Sequence, residues 1–418
     1  MIRLMIIADD FTGGLDTGVQ FAQKGIRTRV VTDWQTDYRE AADGCEVLVI
    51  VAETRHIRPA EAYDIVSRIV RKSVSLNVPF IYKKTDSGLR GNIGAELSAA
   101  LEASGASVLP FLPSMPALGR VTVGGIHTIG GVPVAESVFG KDPFEPVTES
   151  DVCRMIGMQS KVAALNGTPD QFPEGNGIWV IDATTDADLL AAGQRLCQDG
   201  RLRVMAGCAG FAAVLPDLLG LRREHAPELP PLAPGLLVLC GSVNPITQSQ
   251  LDYAEKGGFT RVHILPEQKL EAGYFDSDAG QAALAAWRNQ YETVPWFILD
   301  ANDSDPANRQ SAGYIESHGM DLEEARQCIS GSLGRILPAL LESPVNRSML
   351  ITGGDTLLQC MNRLQVSQME PLLEVFPGVV LSVFETAGQM RYVITKSGGF
   401  GKETLLCDLR DLIAGQAR

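Results

Sequence analysis

Short apolar runs recur at 4–8, 28–32, 47–52, 79–83 and 107–112, and between them apolar residues return at helical spacing, as Ile93, Leu97 and Leu101 do. Strand-like runs separated by helix-period segments predict βαβ units on a parallel sheet. A second series follows at 235–240, 260–265, 295–300, 347–352, 379–384 and 391–395, with helical patterns over 247–256, 322–341 and 357–364. Between the two series lies APELPPLAPG at 226–235, whose four prolines hold the chain extended. The fold class expected is therefore α/β: two tandem α/β domains with largely parallel sheets, 1–225 and 236–418, joined by the Pro-rich linker 226–235, with a ligand cleft between them.

Composition narrows the function classes. At 418 residues and 45% hydrophobic, each domain can bury its own core. The net charge of −14 repels phosphate backbones and anionic headgroups, which demotes nucleic acid and membrane surfaces as partners. The run 4–8 is too short for a signal-peptide core, and no later run approaches a membrane span, so a soluble, cytoplasmic chain is expected. Eight cysteines form no Cys-x-x-Cys pair and have no His at zinc-finger spacing; they read as small buried hydrophobes.

Ligands of open parallel sheets bind beyond the carboxyl ends of the strands, where loops converge. The first of these loops opens with Asp9 and Asp10, the third holds Arg55, and the fourth runs Lys83-Lys84-Thr85-Asp86-Ser87-Gly88-Leu89-Arg90. Taken singly, each loop reads as a helix cap or a solvated surface. Three such loops at one sheet edge point instead to a cationic pocket with nearby carboxylates. That chemistry suits a small hydroxylated acid: Arg and Lys take a carboxylate, and Asp accepts from hydroxyls.

In the second domain, one strand runs into Gly353-Gly354-Asp355-Thr356 and another into Lys396-Ser397-Gly398-Gly399-Phe400-Gly401. Ordinary turns explain either loop alone, but glycine loops at helix amino termini also let backbone N–H groups approach phosphate. An aspartate there would repel phosphate unless Mg²⁺ bridges them, so Asp355 points to a metal-nucleotide. Neither a Walker loop nor G-x-G-x-x-G after a strand is present.

IADDFTGGLDTG at 7–18, Arg55 in AETRH, KKTDSGLRGNIGAEL at 83–97, PALGRVTVGGIHTIGGVPVAES at 116–137, DPFEPVTES at 142–150, CGSVNPITQSQ at 240–250, GGDT at 353–356 and KSGGFG at 396–401 resemble the four-carbon acid sugar kinase family. The resemblance implies ATP-dependent phosphorylation of acids such as D-threonate, D-erythronate or 3-oxo-tetronates at the terminal hydroxyl, by an amino-terminal acid-binding domain and a carboxy-terminal ATP-binding domain. It also implies that Asp9, Asp10, Arg55, Lys83, Lys84, Thr85, Asp86 and Arg90 lie on the acid side, and Ser242, Gly353, Gly354, Asp355, Thr356 and Gly398 on the ATP side. Gly88 stands where the family often has Thr, Asp355 where many members have Glu, and Ala52-Glu53-Thr54 where a Thr- and Ser-containing run is common. These departures bear on substrate identity more than on reaction class.

The mechanism expected is in-line transfer of the ATP γ-phosphoryl group to a C4 hydroxyl, D-threonate first. Asp10 by preference, with Asp86 in reserve, orients the hydroxyl and takes its proton, and Mg²⁺, with Asp355 as its protein ligand, neutralises the phosphates. The partners expected are the acid and ATP, with self-association left open. His127 reads as a hydrogen-bonded residue of a hairpin or lid. Two rivals are an aldolase or oxidoreductase on the same acid, the former using the lysine pair for a Schiff base, and a non-catalytic sugar-acid sensor.

Overall fold

A computed structural model describes residues 1–142, 145–221, 226–304, 309–397 and 399–416. The chain divides into two compact units, Met1–Pro227 and Glu228–Arg418. Among the described residues no helix is long and apolar enough to cross a membrane.

The first unit carries β1 Leu4–Ala8, β2 Thr28–Val31, β3 Val47–Val51, β4 Phe80–Lys84, β5 Val108–Leu112, the small strands β6 Arg120–Val123, β7 Ile126–Ile129 and β8 Val132–Pro133, then β9 Ala164–Gly167, β10 Gly177–Ile181 and β11 Val204–Gly207. Eight of these form a wholly parallel sheet in the order β2-β3-β1-β4-β11-β5-β10-β9. Every residue of β1, β3 and β5 is buried, which is why these strands read as continuous apolar runs rather than alternating ones. The order in which strands are added reverses at β1, whose parallel neighbours are β3 on one side and β4 on the other. A crevice opens at such a switch point, beyond the strands' carboxyl ends. The strands β6, β7 and β8 form a separate antiparallel sheet.

The second unit carries β12 Leu236–Cys240, β13 Thr260–His263, β14 Trp296–Asp300, β15 Ser348–Thr352, β16 Gln368–Phe376, β17 Val379–Thr386 and β18 Gln389–Lys396. The order β13-β14-β12-β15-β18 is parallel, and β18-β17-β16 continues it as an antiparallel meander. Its switch point falls between β12 and β15, because the chain first lays β13 at the edge, fills the gap beside β12 with β14, and then passes to the other side of β12 with β15.

The apolar runs locate most of the central strands to within a residue or two, but β9, β10, β11 and β16 were not among them; β10 is a buried Gly-Ile-Trp-Val-Ile run that sequence reasoning passed over, and the other three carry no clear run. Of these, β11 is four residues of Val-Met-Ala-Gly, and β16 has Glu370, Pro371 and Glu374 interrupting its apolar positions because it is only half-buried.

Candidate functional site

Asp9 and Asp10 follow β1 at the first unit's switch point. Asp10 caps the helix Phe11–Ala22: its Oδ1 accepts from Gly13 N at 3.2 Å and its Oδ2 from the Thr12 hydroxyl at 2.8 Å. The loops after β3 and β4 close on the same pair. Arg55 Nε donates to Asp9 Oδ2 and Arg55 Nη2 to Asp10 Oδ1, both at 2.7 Å, while Lys84 Nζ reaches Asp9 Oδ1 at 2.8 Å and Asp10 Oδ1 at 2.7 Å. Arg55 Nη2 also lies 3.7 Å from Asp86 Oδ1. Asp86 in turn accepts from Arg90 Nε at 2.9 Å and Nη2 at 3.1 Å, and from the amides of Gly88 and Arg90. Arg90 Nη1 continues to Asp142 Oδ2 at 3.0 Å.

The sequence suggested a cationic pocket; the structure places each of these cations against a carboxylate. Burial alone would raise the carboxyl pKa values of Asp9 and Asp10, but Arg55 and Lys84 outweigh it and hold both below the ordinary range. Against the same burial, Arg90 and Arg55 hold Asp86 well below that range. Burial would lower the pKa of Lys84, yet Asp10 and Asp9 raise it. Asp9, Asp10, Asp86, Arg55, Lys84 and Arg90 are therefore all ionised at neutral pH. Beside the network the backbone is strained: Glu53 and Leu89, each two residues or fewer before Arg55 and Arg90, sit at φ 49° and 60°. Such non-glycine conformations cost on the order of 1–3 kcal/mol each and cluster at functional sites.

Lys83 needs a correction as a substrate contact. Neighbouring residues of a strand face opposite sides, so Lys84 reaches the Asp9–Asp10 pair while Lys83 turns away, fully buried, with Nζ 2.9 Å from Glu96 Oε2. Its ammonium also donates to the Lys84 carbonyl. Glu96 accepts from the Thr54 hydroxyl, so this buried pair ties β4 to the loop carrying Arg55. Thr85 is likewise fully buried; its N–H bonds Gly207 O at 2.9 Å, and its hydroxyl has no partner among the described residues.

Sequence reasoning gave no role to Thr54, Asn92, Glu96 or Arg120. Asn92 Nδ2 bonds the carbonyls of Thr54 at 2.7 Å and Ile57 at 2.8 Å, fixing the Arg55 loop from behind. All four stand inside or beside the quoted motifs; polar residues at helix-start and strand positions that otherwise face a core were the available signal. His127 is fully buried, with Nδ1 2.9 Å from the Thr122 hydroxyl and Nε2 3.1 Å from Ser87 O. A carbonyl can only accept, so Nε2 carries the proton and Nδ1 accepts from Thr122. Burial pushes its pKa down to about 4, so the ring is neutral at pH 7.

In the second unit the loops after β12 and β15 pack together. A Cβ on Gly241 would stand 2.0 Å from Thr356 Oγ1, and one on Gly353 would stand 3.5 Å from Ser242 N. Gly353 has φ 107°, which favours glycine, and it starts the helix Gly354–Arg363 without a side-chain cap, so the first-turn amides stay available to an anion. Ser242 is nearly buried, its Oγ 3.4 Å from Thr247 Oγ1, and Lys396 Nζ donates to that same hydroxyl at 2.9 Å. Ser242, Gly353, Gly354, Asp355 and Thr356 thus share one corner, joined by Lys396, whose part the sequence did not single out. Gly398 lies outside the described residues.

Asp355 Oδ2 is 2.5 Å from Arg326 Nη1. Among the described residues no three His, Cys, Asp or Glu side chains converge on a metal position. Mg²⁺ bound with a nucleotide needs no such cage, because phosphates and water fill most of its shell. One partly exposed carboxylate beside a helix amino terminus fits that demand.

Two family models match the chain, a sugar-binding N-terminal domain over residues 4–215 and a nucleotide-binding C-terminal domain over 237–406. The chain is 30% identical over 430 aligned positions to a D-threonate kinase of Salmonella typhimurium, covering 97% of each protein. It is 27% identical to a D-erythronate kinase of Heliobacterium modesticaldum, covering 99% of this chain and 97% of that one, and 28% identical to a 3-oxo-tetronate kinase of Pseudomonas fluorescens, covering 98% and 97%. A crystal structure from Salmonella typhimurium LT2 shares the fold at TM-score 0.79 and 21% identity, covering 98% of this chain and 99% of its own.

Proposed function

The chain belongs to the four-carbon acid sugar kinase family, and from that premise we propose that it transfers the γ-phosphoryl group of ATP to the 4-hydroxyl of a four-carbon sugar acid, D-threonate first. The observation that carries the reading is the convergence of Arg55 and Lys84 on Asp10 Oδ1, each at 2.7 Å, at the first unit's switch point. This network presents a permanent anion where a substrate hydroxyl can donate, with cations beside it. Asp10 orients the hydroxyl and accepts its proton as the bond to phosphorus forms. A carboxylate of lowered pKa is a weak base, which suits a loose transition state in which positioning supplies most of the rate. Asp86, bound by Arg90 and two amides, holds the acid-side loop.

On the nucleotide side, the amides of Gly353–Thr356 and the Ser242 corner receive the phosphates, with Lys396 as a further cation. Asp355 would hold Mg²⁺, which supplies charge neutralisation at the phosphates when bound. Lys84, kept protonated between two carboxylates, is a poor Schiff-base nucleophile, which weighs against the aldolase reading.

The test is steady-state kinetics with ATP and D-threonate, D-erythronate and 3-oxo-tetronate isomers. Saturable, ATP-dependent turnover of at least one acid is expected, and turnover of none would reject the reading.

A further inference from the structure

The small sheet of β6, β7 and β8 has no part in the mechanism above, yet it is bound to the acid-side loop. Arg120 Nη1 donates to the Ser87 hydroxyl, and His127 Nε2 donates to the Ser87 carbonyl at 3.1 Å. Phe139, buried beyond β8, completes the attachment. The guanidinium carbons of Arg90 and Arg120 lie 5.2 Å and 5.1 Å from its ring centroid, so one aromatic ring serves two cations. A ring quadrupole attracts a guanidinium and fixes the plane in which its donors point.

Gly88 makes room for this ring. A Cβ at that position would stand 2.5 Å from Phe139 Cδ1, 2.6 Å from Cε1 and 2.8 Å from Cγ. The residue does not have the positive φ that would demand glycine for conformational reasons. Its small size is a packing requirement set by Phe139. Burial lowers the pKa of Arg120 although Asp86 opposes the change, so an added anion nearby is favourable.

We propose that Phe139 is a specificity-determining positioning residue: its ring sets Arg90 and Arg120 as a pair that receives the substrate carboxylate, and Gly88 is the space that admits it. This inference rests on the sugar-acid reading of the first unit and assigns the two ends of the substrate. The hydroxyl end lies at Asp10, and the carboxylate end lies past Asp86, along the line Asp10, Arg55, Asp86, Arg90 that the ion pairs trace.

The experiment compares wild type with Phe139→Leu, Phe139→Trp and Gly88→Ala in the full chain. Calorimetric titration of D-threonate and D-erythronate is paired with kinetics on the acid and on the neutral polyols threitol and erythritol. Leu keeps apolar bulk without the quadrupole, so acid affinity should fall roughly three- to thirty-fold. The KM for ATP and the kcat at saturating acid should hold, and acid-over-polyol preference should shrink by the same factor. Trp should restore acid affinity to within about threefold of wild type, and Gly88→Ala should act as Leu does. Unchanged acid affinity in Phe139→Leu or Gly88→Ala, equal loss for acid and polyol, or no rescue by Trp would overturn the proposal. If Phe139→Leu does not fold, Gly88→Ala decides by the same criteria. Wild type that binds no acid overturns it as well; wild type that binds acids selectively but phosphorylates none leaves this inference standing and rejects the proposed function.

Discussion

At Gly13 a single added methyl would stand 1.7 Å from the Lys84 ammonium nitrogen and 2.4 Å from Asp10 Oδ1. Alanine is otherwise the better helix former by roughly 1 kcal/mol. Gly13→Ala should therefore separate activity from stability: kcat/KM for the acid falls by roughly tenfold or more, a displacement worth at least one charge-assisted hydrogen bond, while the melting temperature changes little. Kinetics and a thermal melt on this variant check both halves. Asp10→Asn keeps the helix cap, since Asn caps almost as well as Asp, but removes the charge that Arg55 and Lys84 share. The expected result is a fall in kcat of roughly 10²- to 10⁴-fold with the KM for ATP unchanged; an unaltered kcat would pass the role to Asp86.

The strand-and-loop element β6–β7 carries a pH dependence of its own. Folded His127 has a pKa of about 4 against an ordinary 6.5, so between those values the unfolded chain binds a proton that the folded chain refuses. Stability is complete above pH 6.5, is lost as pH falls toward 4, and levels off below. Between pH 7 and pH 5 the loss amounts to about 2 kcal/mol, and urea unfolding of His127→Asn should show that part of the slope removed. Elements like this mark the limits of reading structure from sequence. Central strands such as β1 and β3 were legible because both faces are buried, and the meeting of Asp9, Arg55 and Lys84 because each lies at or just beyond the carboxyl end of such a strand. The opposite facing of Lys83 and Lys84 follows from strand alternation, but which of the two faces the Asp9–Asp10 pair was set by tertiary context, as were the Lys83–Glu96 pair beneath the site and Phe139 over Gly88, which join residues 13 and 51 positions apart and which no local spacing reveals.

At the scale of the whole chain, the proposed function puts acid recognition on the first unit and nucleotide recognition on the second, in line with the two family models that match them, so variants should sort into two classes. Arg90→Ala removes charge-assisted bonds and should raise the KM for the acid by roughly ten- to a hundredfold while sparing ATP. Gly241→Ala, whose Cβ would meet Thr356 Oγ1 at 2.0 Å, should raise the KM for ATP and spare the acid. Parallel kinetics on both variants check the sorting, and equal losses for both substrates would contradict it. The most direct measurement is proton-coupled phosphorus NMR of the product formed from ATP and D-threonate. The expected result is one phosphate ester per ADP, its phosphorus coupled to the two protons on C4. ATP hydrolysis without an ester, an ester at C2 or C3, or an acyl phosphate would contradict transfer to the terminal hydroxyl.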